Sequence, residues 1–256
     1  MIEISEVVKE YSKTMALNKI SLVIKNNTIF GFVGPNGAGK STMVNILTSI
    51  IKKTSGEISI LGFNIDKESM EIKKNIGVMP EILALFDGLT GQEQLDFVSR
   101  VYGLKRDEYK LRIPELLEYF ELYSSKDRLI ETYSQGMKKK IAFISAIIHN
   151  PKVLFLDEPF ENIDPISRKK MRDVIKRMQN KGSTIIITSH ALSEVEWFCD
   201  EVAIIHKGKL VFKSTTKDIR NKVKNKLTQE TYESLEEVFI DLTTDKKEEK
   251  ELPTWL

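Results

Sequence analysis

The strongest constraint on what this chain can fold into is the stretch Gly34-Pro35-Asn36-Gly37-Ala38-Gly39-Lys40-Ser41-Thr42. Its spacing is G-x-x-x-x-G-K-[ST], and its flanks are those the pattern needs. Ahead of it, Ile29-Phe30-Gly31-Phe32-Val33 is a short apolar run that predicts a buried strand. Behind it, Met43, Val44, Ile46, Leu47, Ile50 and Ile51 recur at helical spacing. Strand, glycine loop and helix in this order predict an α/β domain with an anion site at the strand's end. Gly34, Gly37 and Gly39 permit a tight turn and a close approach of backbone to ligand. Successive N–H groups then line a nest at the helix N-terminus. In such a loop Lys40 reaches the β- and γ-phosphates of a nucleotide, and the Ser41 hydroxyl binds Mg²⁺. A bare glycine turn would not require Lys-Ser at this offset.

The remaining chain arranges itself around that loop. Residues 1 to about 27 predict paired strands, with Ile20, Leu22 and Ile24 on one face, and Tyr11 falls in the polar turn between them. Ser55–Gly62 reads as a short strand closed by glycines, and Ile76–Met79 as a buried strand ending at Pro80. From Thr90 to about Ile148 the periodicity is helical, which predicts a helical subdomain inserted over about 82–150. Val153-Leu154-Phe155-Leu156 has no alternation, as befits a parallel strand covered on both faces. A helix from about Pro165 to Asn180, a strand at Thr184–Thr188, a helix from Leu192, a strand at Glu201–Ile205 and a turn at Lys207-Gly208 follow. Beyond about 215 lies an extension with a helical signal at Leu235–Phe239 and a mixed-charge tail, Asp245–Glu251, expected to be solvated.

Two strand ends carry further chemistry. Asp157 follows Val153–Leu156 directly, where open α/β sheets bind ligands, and suits a metal ligand. Glu158 beside it suits a base for an attacking water; two adjacent acids near phosphates repel unless a cation neutralises one. His190 follows the Thr184–Thr188 strand, where a lone histidine is more often structural than catalytic unless other motifs surround it. Tyr11 offers a flat face to a base, although aromatic residues with a polar tip also pack at strand edges for structural reasons. Lys138-Lys139-Lys140 reads as a solvated helix face.

Composition narrows the alternatives. With 256 residues the chain forms one large domain or two small ones. Its 39 Lys+Arg against 37 Asp+Glu leave a formal charge of +2, which gives no argument for nucleic acid. Cys199 is the single cysteine, so no intramolecular disulfide forms, and it reads as a small buried residue in a chain from a reducing compartment. No apolar run approaches the roughly 20 residues needed to span a bilayer, and Met1-Ile2-Glu3-Ile4 opens as a strand rather than a secretory leader.

Taken together, the motifs resemble the nucleotide-binding subunit of ATP-binding cassette (ABC) transporters. The discriminating stretch is Tyr133-Ser134-Gln135-Gly136-Met137-Lys138-Lys139, similar to that family's signature motif and placed before a helix, a second anion site. The resemblance covers residues 1 to about 243. It implies a P-loop NTPase core with a mainly parallel sheet and flanking helices, an N-terminal antiparallel β subdomain and the inserted helical subdomain, with the ATPase domain ending near 215. It also implies ATP and Mg²⁺ as ligands, a second nucleotide-binding subunit, and integral membrane permease subunits on separate chains. The expected location is the cytoplasmic face of the membrane. Tyr11 then stacks on adenine, Ser41, Glu81 and Asp157 surround Mg²⁺, and His190 contacts the γ-phosphate. Ser134, Gln135 and Gly136 close over the ATP of the second subunit, and Asp164 ends the loop Glu161-Asn162-Ile163-Asp164. Three departures stand out: Glu81 where the family usually has Gln, Glu161-Asn162 where it has Ser-Gly, and Gln135 where it has Gly. Gly136-Met137, Glu81 and Ser234–Phe239 resemble the exporter branch for drugs, lipids, antimicrobial peptides or polysaccharides, including lantibiotic-immunity transporters. The competing readings are an ABC-type ATPase acting on nucleic acid or ribosomes, and a catalytically silent nucleotide-binding regulator.

Overall fold

Alternating apolar residues build the first sheet. In the computed structural model, which describes residues 1–223 and 231–244, β1 (Ile2–Tyr11) and β2 (Thr14–Ile24) pair antiparallel. Ile2, Ile4, Leu17, Ile20, Leu22 and Ile24 are buried while their neighbours face outward. Tyr11 closes β1 itself instead of lying in the turn, and Lys9 Nζ sits 4.6 Å from its ring centroid. Then β3 (Ile29–Val33), buried at every position, enters a second sheet and delivers the chain to α1 (Lys40–Leu47).

The chain returns through β4 (Ser55–Ile60) and the short β5 (Phe63–Asn64), completing a four-stranded antiparallel sheet in the order β2-β1-β4-β5. Two elements follow, α2 (Ser69–Asn75) and β6 (Ile76–Met79). The helical block comprises α3 (Gly91–Val101), α4 (Arg106–Tyr119) and α5 (Gln135–Ile147). Thr90 and Glu93 form a reciprocal capping box at the start of α3, which fixes where the block begins. The far end of α5 is anchored by His149, whose ring stacks on Tyr102 with centroids 3.5 Å apart and whose Nε2 lies 2.9 Å from the Ile76 carbonyl of β6. Burial lowers the His149 pKa to about 4, so the ring is neutral at physiological pH.

After that block come β7 (Val153–Asp157), α6 (Pro165–Asn180), β8 (Thr184–Thr188), α7 (Leu192–Phe198), β9 (Glu201–His206), β10 (Lys209–Thr215), α8 (Thr216–Lys222) and α9 (Leu235–Thr243). The second sheet has the order β10-β9-β3-β8-β7-β6, parallel throughout except for the edge strand β10. Its faces divide two cores. Phe30, Phe32, Phe155, Ile186 and Ile205 pack toward the antiparallel sheet and α1, whereas Leu154, Leu156, Ile185, Ile187 and Ile204 pack toward the helices. Burial on both faces explains the continuous apolar runs of these strands. Cys199 is buried, as its sequence context suggests. The tail Asp245–Glu251 lies outside the described residues.

Register decides where the chemistry falls. Phe32 of β3 and Asp157 of β7 both align with Thr188 of β8, and Leu156 aligns with Met79 of β6. The C-terminal ends of these strands therefore form one rim, and the glycine loop, Asp157, the residues after Thr188 and the residues after Met79 leave the sheet side by side.

Candidate nucleotide site

Gly39 is the N-cap of α1, at φ 110° and ψ 4°, with no side chain capping the helix. A Cβ there would lie 2.7 Å from the Ala16 carbonyl oxygen and 2.8 Å from Leu17 Cδ2. At Gly34 a Cβ would lie 2.3 Å from the Ile205 carbonyl oxygen of β9, so this glycine is required by close approach instead. The first-turn N–H groups of α1 have no acceptor within the helix and point out of its N-terminus, where an anion is stabilised.

Above this loop lies a cavity of about 450 Å³ lined by Ala16, Asn36, Gly37, Gly39, Lys40, Ser41, Thr42, Glu81, Asp157, Glu158, Glu161 and His190. A larger cavity, about 920 Å³, is lined by residues such as Lys176, Trp197 and Thr216. It contains neither the glycine loop nor the strand-end acids, so the smaller cavity is the candidate site.

Inside it the groups constrain one another. Lys40 is buried and its Nζ donates to the carbonyls of Gly34 at 2.6 Å and Pro35 at 3.2 Å. Burial lowers its pKa, opposed by the charges of Glu158, Asp157 and Glu81. Asp157 is buried and accepts a hydrogen bond from the Thr188 hydroxyl. That hydroxyl and the Thr188 carbonyl both accept from the Glu158 N–H, each at 3.2 Å. Glu158 takes a left-handed backbone, φ 47°, directly after β7. Its Oε2 lies 3.1 Å from His190 Nδ1, with His190 largely exposed and Glu158 largely buried. Burial raises the Glu158 pKa, and His190 and Lys40 partly offset that rise.

Of the residues expected in the site, the cavity gathers Asn36, Gly37, Gly39, Lys40, Ser41, Thr42, Glu81, Asp157, Glu158 and His190. Gly34, Pro35 and Ala38 shape the loop without lining the cavity. Tyr11, Ser134, Gln135, Gly136 and Asp164 do not line it either. Ser134 caps α5 by accepting from the Met137 N–H at 3.2 Å, and Ser134 and Gln135 are exposed. Asp164 caps α6 by accepting from the Ser167 N–H at 2.9 Å, and this bonding lowers its pKa.

Two residues escaped the sequence reading. Glu161 lines the cavity, although its loop stood out only as a departure from pattern. Lys139 is a correction: it is buried, not solvated, with Nζ donating to the carbonyls of Glu158 at 2.9 Å and Glu161 at 2.6 Å. Its spacing held no distinguishing signal, since Lys138, Lys139 and Lys140 each precede a buried residue by four: Ala142, Phe143 and Ile144.

The donors suit Mg²⁺. Ser41, Asp157 and Glu81 offer hard oxygens, and no cluster of three or more His, Cys, Asp or Glu able to hold a metal occurs among the described residues. Mg²⁺ is typically held this way, by one or two protein oxygens plus substrate phosphates.

Known proteins place this architecture. The family model described as ABC transporter matches residues 17–161. The linearmycin resistance ATP-binding protein LnrL of Bacillus subtilis (strain 168) is 36% identical over 241 residues, 94% of this chain and 78% of that protein. The chain spans smaller shares of two longer relatives that it also matches, 42% and 14%. A solved ATP binding subunit of an ABC transporter superposes with a TM-score of 0.87 at 28% identity, covering 95% of this chain and all of that one. A bacterial ABC transporter cassette solved as a dimer gives 0.78 at 25% identity, over 84% of this chain and 99% of the other. The chain belongs to the ABC transporter family, as one of its ATP-hydrolysing cassettes.

Proposed function

We propose that this cassette powers the export of a drug, peptide or lipid-like molecule through membrane subunits on separate chains, and that the cavity beside α1 is its hydrolytic site. The observation that carries the hydrolytic part is the 3.1 Å contact between Glu158 Oε2 and His190 Nδ1, at a cavity floored by the phosphate loop. Lys40 and the N–H groups of the loop bind the phosphates of ATP. Glu158 takes a proton from the attacking water, and His190 orients that carboxylate and faces the γ-phosphate. Ser41 and Asp157, with Glu81 adjacent, would hold Mg²⁺, which would supply neutralisation of the phosphate charge. Tyr11 provides a face for the base.

Ser134, Gln135 and Gly136 stand outside this cavity, which supports their service to the nucleotide of a second cassette, with Asp164 near the seam. No helix among the described residues is long and apolar enough to cross a membrane, and the cassettes of this family work with membrane subunits, so we place the chain at the cytoplasmic face beside its permease. Export is favoured by Gly136-Met137, by Glu81 and by the helix α9, and LnrL is named for resistance.

The test is Glu158→Gln. It is expected to bind ATP, to accumulate a nucleotide-bound dimer, and to lose turnover by about 10³-fold. Turnover at the wild-type rate would remove Glu158 from the role of base. Mild-detergent co-purification from native membranes identifies the permease, and recovery of the chain without any membrane protein would count against the transport reading.

A further inference from the structure

The turn from Glu158 to Asn162 is held in an uncommon shape. Glu158 and Asn162 both have left-handed backbones, φ 47° and φ 55°, which residues other than glycine adopt reluctantly. The turn's own closing bond, Glu161 N–H to Glu158 carbonyl, is long at 3.4 Å. The bonds of ordinary length come from outside. The Lys139 ammonium, buried on α5, donates to the Glu158 carbonyl at 2.9 Å and to the Glu161 carbonyl at 2.6 Å. The Glu161 carboxylate lies farther off, at 3.9 Å, so the main grip is on backbone. Gly136, one turn earlier on α5, brings the helix start close to the same turn: a Cβ there would lie 4.0 Å from the Asn162 carbonyl oxygen. A buried ammonium is costly unless its protons are satisfied, and here they are spent on the two ends of this turn.

We propose that Lys139 is a positioning residue for Glu158: by pinning the carbonyls of Glu158 and Glu161, it fixes the direction of the Glu158 carboxylate and fastens the signature helix to the hydrolytic site of its own subunit. The proposal rests on the reading of Glu158 as the base. It assigns α5 two duties. Its exposed N-terminal turn serves a partner's nucleotide, and its buried face, one turn on, holds the base of its own site.

The experiment compares Lys139→Met, Lys139→Arg and Glu158→Gln in the full chain co-purified with its membrane subunits. Turnover and binding of ATP are measured separately. Lys139→Met is expected to lower kcat by about 10- to 100-fold, the effect of a small misplacement of a reacting group, with KM and nucleotide affinity unchanged. Lys139→Arg, which keeps a multiply donating cation, is expected to recover most of kcat. Wild-type kcat in Lys139→Met, with Glu158→Gln inactive, overturns the role of Lys139 and leaves the base assignment standing. A parallel loss of affinity and kcat also overturns it, because that is the signature of general damage to the pocket. Wild-type turnover in Glu158→Gln is the distinct result that sinks the base assignment itself. Should Lys139→Met not yield folded protein, Lys139→Gln is judged by the same split between kcat and affinity.

Discussion

Two helices of this chain begin at stretches that the sequence marks as anion sites, and they begin differently in space. At α1 the cap is Gly39, left-handed and without a side chain, so the first-turn N–H groups face a cavity where Lys40, Asp157 and Glu158 converge. At α5 the cap is Ser134, whose hydroxyl already accepts from the Met137 N–H; Ser134 and Gln135 are exposed, and the nearby acids Asp87 and Glu161 face Lys138 and Lys139 of the same helix. Both ends carry the partial positive charge of a helix N-terminus. The first has a built surround, and in the proposed function it binds phosphate by itself. The second has one hydroxyl at an exposed helix start, and in the proposed function it becomes a site when another surface brings the phosphate to it. A helix N-terminus is thus a permissive feature, and its neighbours decide its use.

That contrast can be broken experimentally. The largest effect is expected from Lys40→Ala, which removes the cation from the self-contained end: ATP hydrolysis should fall by about 10³-fold, and retention of wild-type turnover would show that α1 is not the hydrolytic end. Next is Gly39→Ala, which puts a Cβ against the Ala16 carbonyl at a strained backbone angle. A loss of about 2 kcal/mol in denaturant-measured stability, together with weaker nucleotide binding, is expected, whereas an unchanged midpoint would show that the loop relaxes freely. Ser134→Ala sharpens the comparison from the other side. It should cost about 1 kcal/mol of stability through the lost cap and leave nucleotide binding by the monomer intact, while slowing hydrolysis by the assembled dimer. Weakened binding in the monomer would place α5 in its own subunit's pocket. The smallest effect is a displacement in pH. Burial raises the Glu158 pKa and His190 lowers it, so a base at Glu158 loses activity as pH falls through a value above the ordinary carboxylate range. In His190→Ala the residual activity should fade at a higher pH still; an acidic limb that does not move would exclude the contact as an influence on the base.

The sequence disclosed those features that local rules govern. Helix α6 was legible because Asp164 caps it and Pro165 opens it, and β8 because five apolar or β-branched residues stand between polar stops. The gathering of Lys40, Asp157, Glu158 and His190 was legible because each follows a strand that must be buried on both faces. Helices α2 and α8 and the short β5 were not, since their few turns or pairs carry too little apolar periodicity. Lys139 was hidden for a different reason. Nothing local distinguishes it from Lys138 and Lys140, and only the return of the chain at Glu158–Glu161 supplies the carbonyls that justify burying it. Tyr11, Ser134 and Asp164 came from family pattern, and a single chain gives them no common cavity.

The place of β3 between β8 and β9 also orders events during synthesis. Gly31 aligns with Ile187 on one side and Val202 on the other, so both neighbours of the phosphate-loop strand lie in the later part of the chain. The ribosome delivers β1, β2 and β4 early, and these can pair with one another at once. Strand β3 emerges among them yet must wait, unpaired, until β8 is made, a delay typical of parallel sheets built from distant segments. For that interval the nascent chain exposes an apolar edge that chaperones would recognise. The phosphate loop is made early, while both strands that flank its own strand are made late.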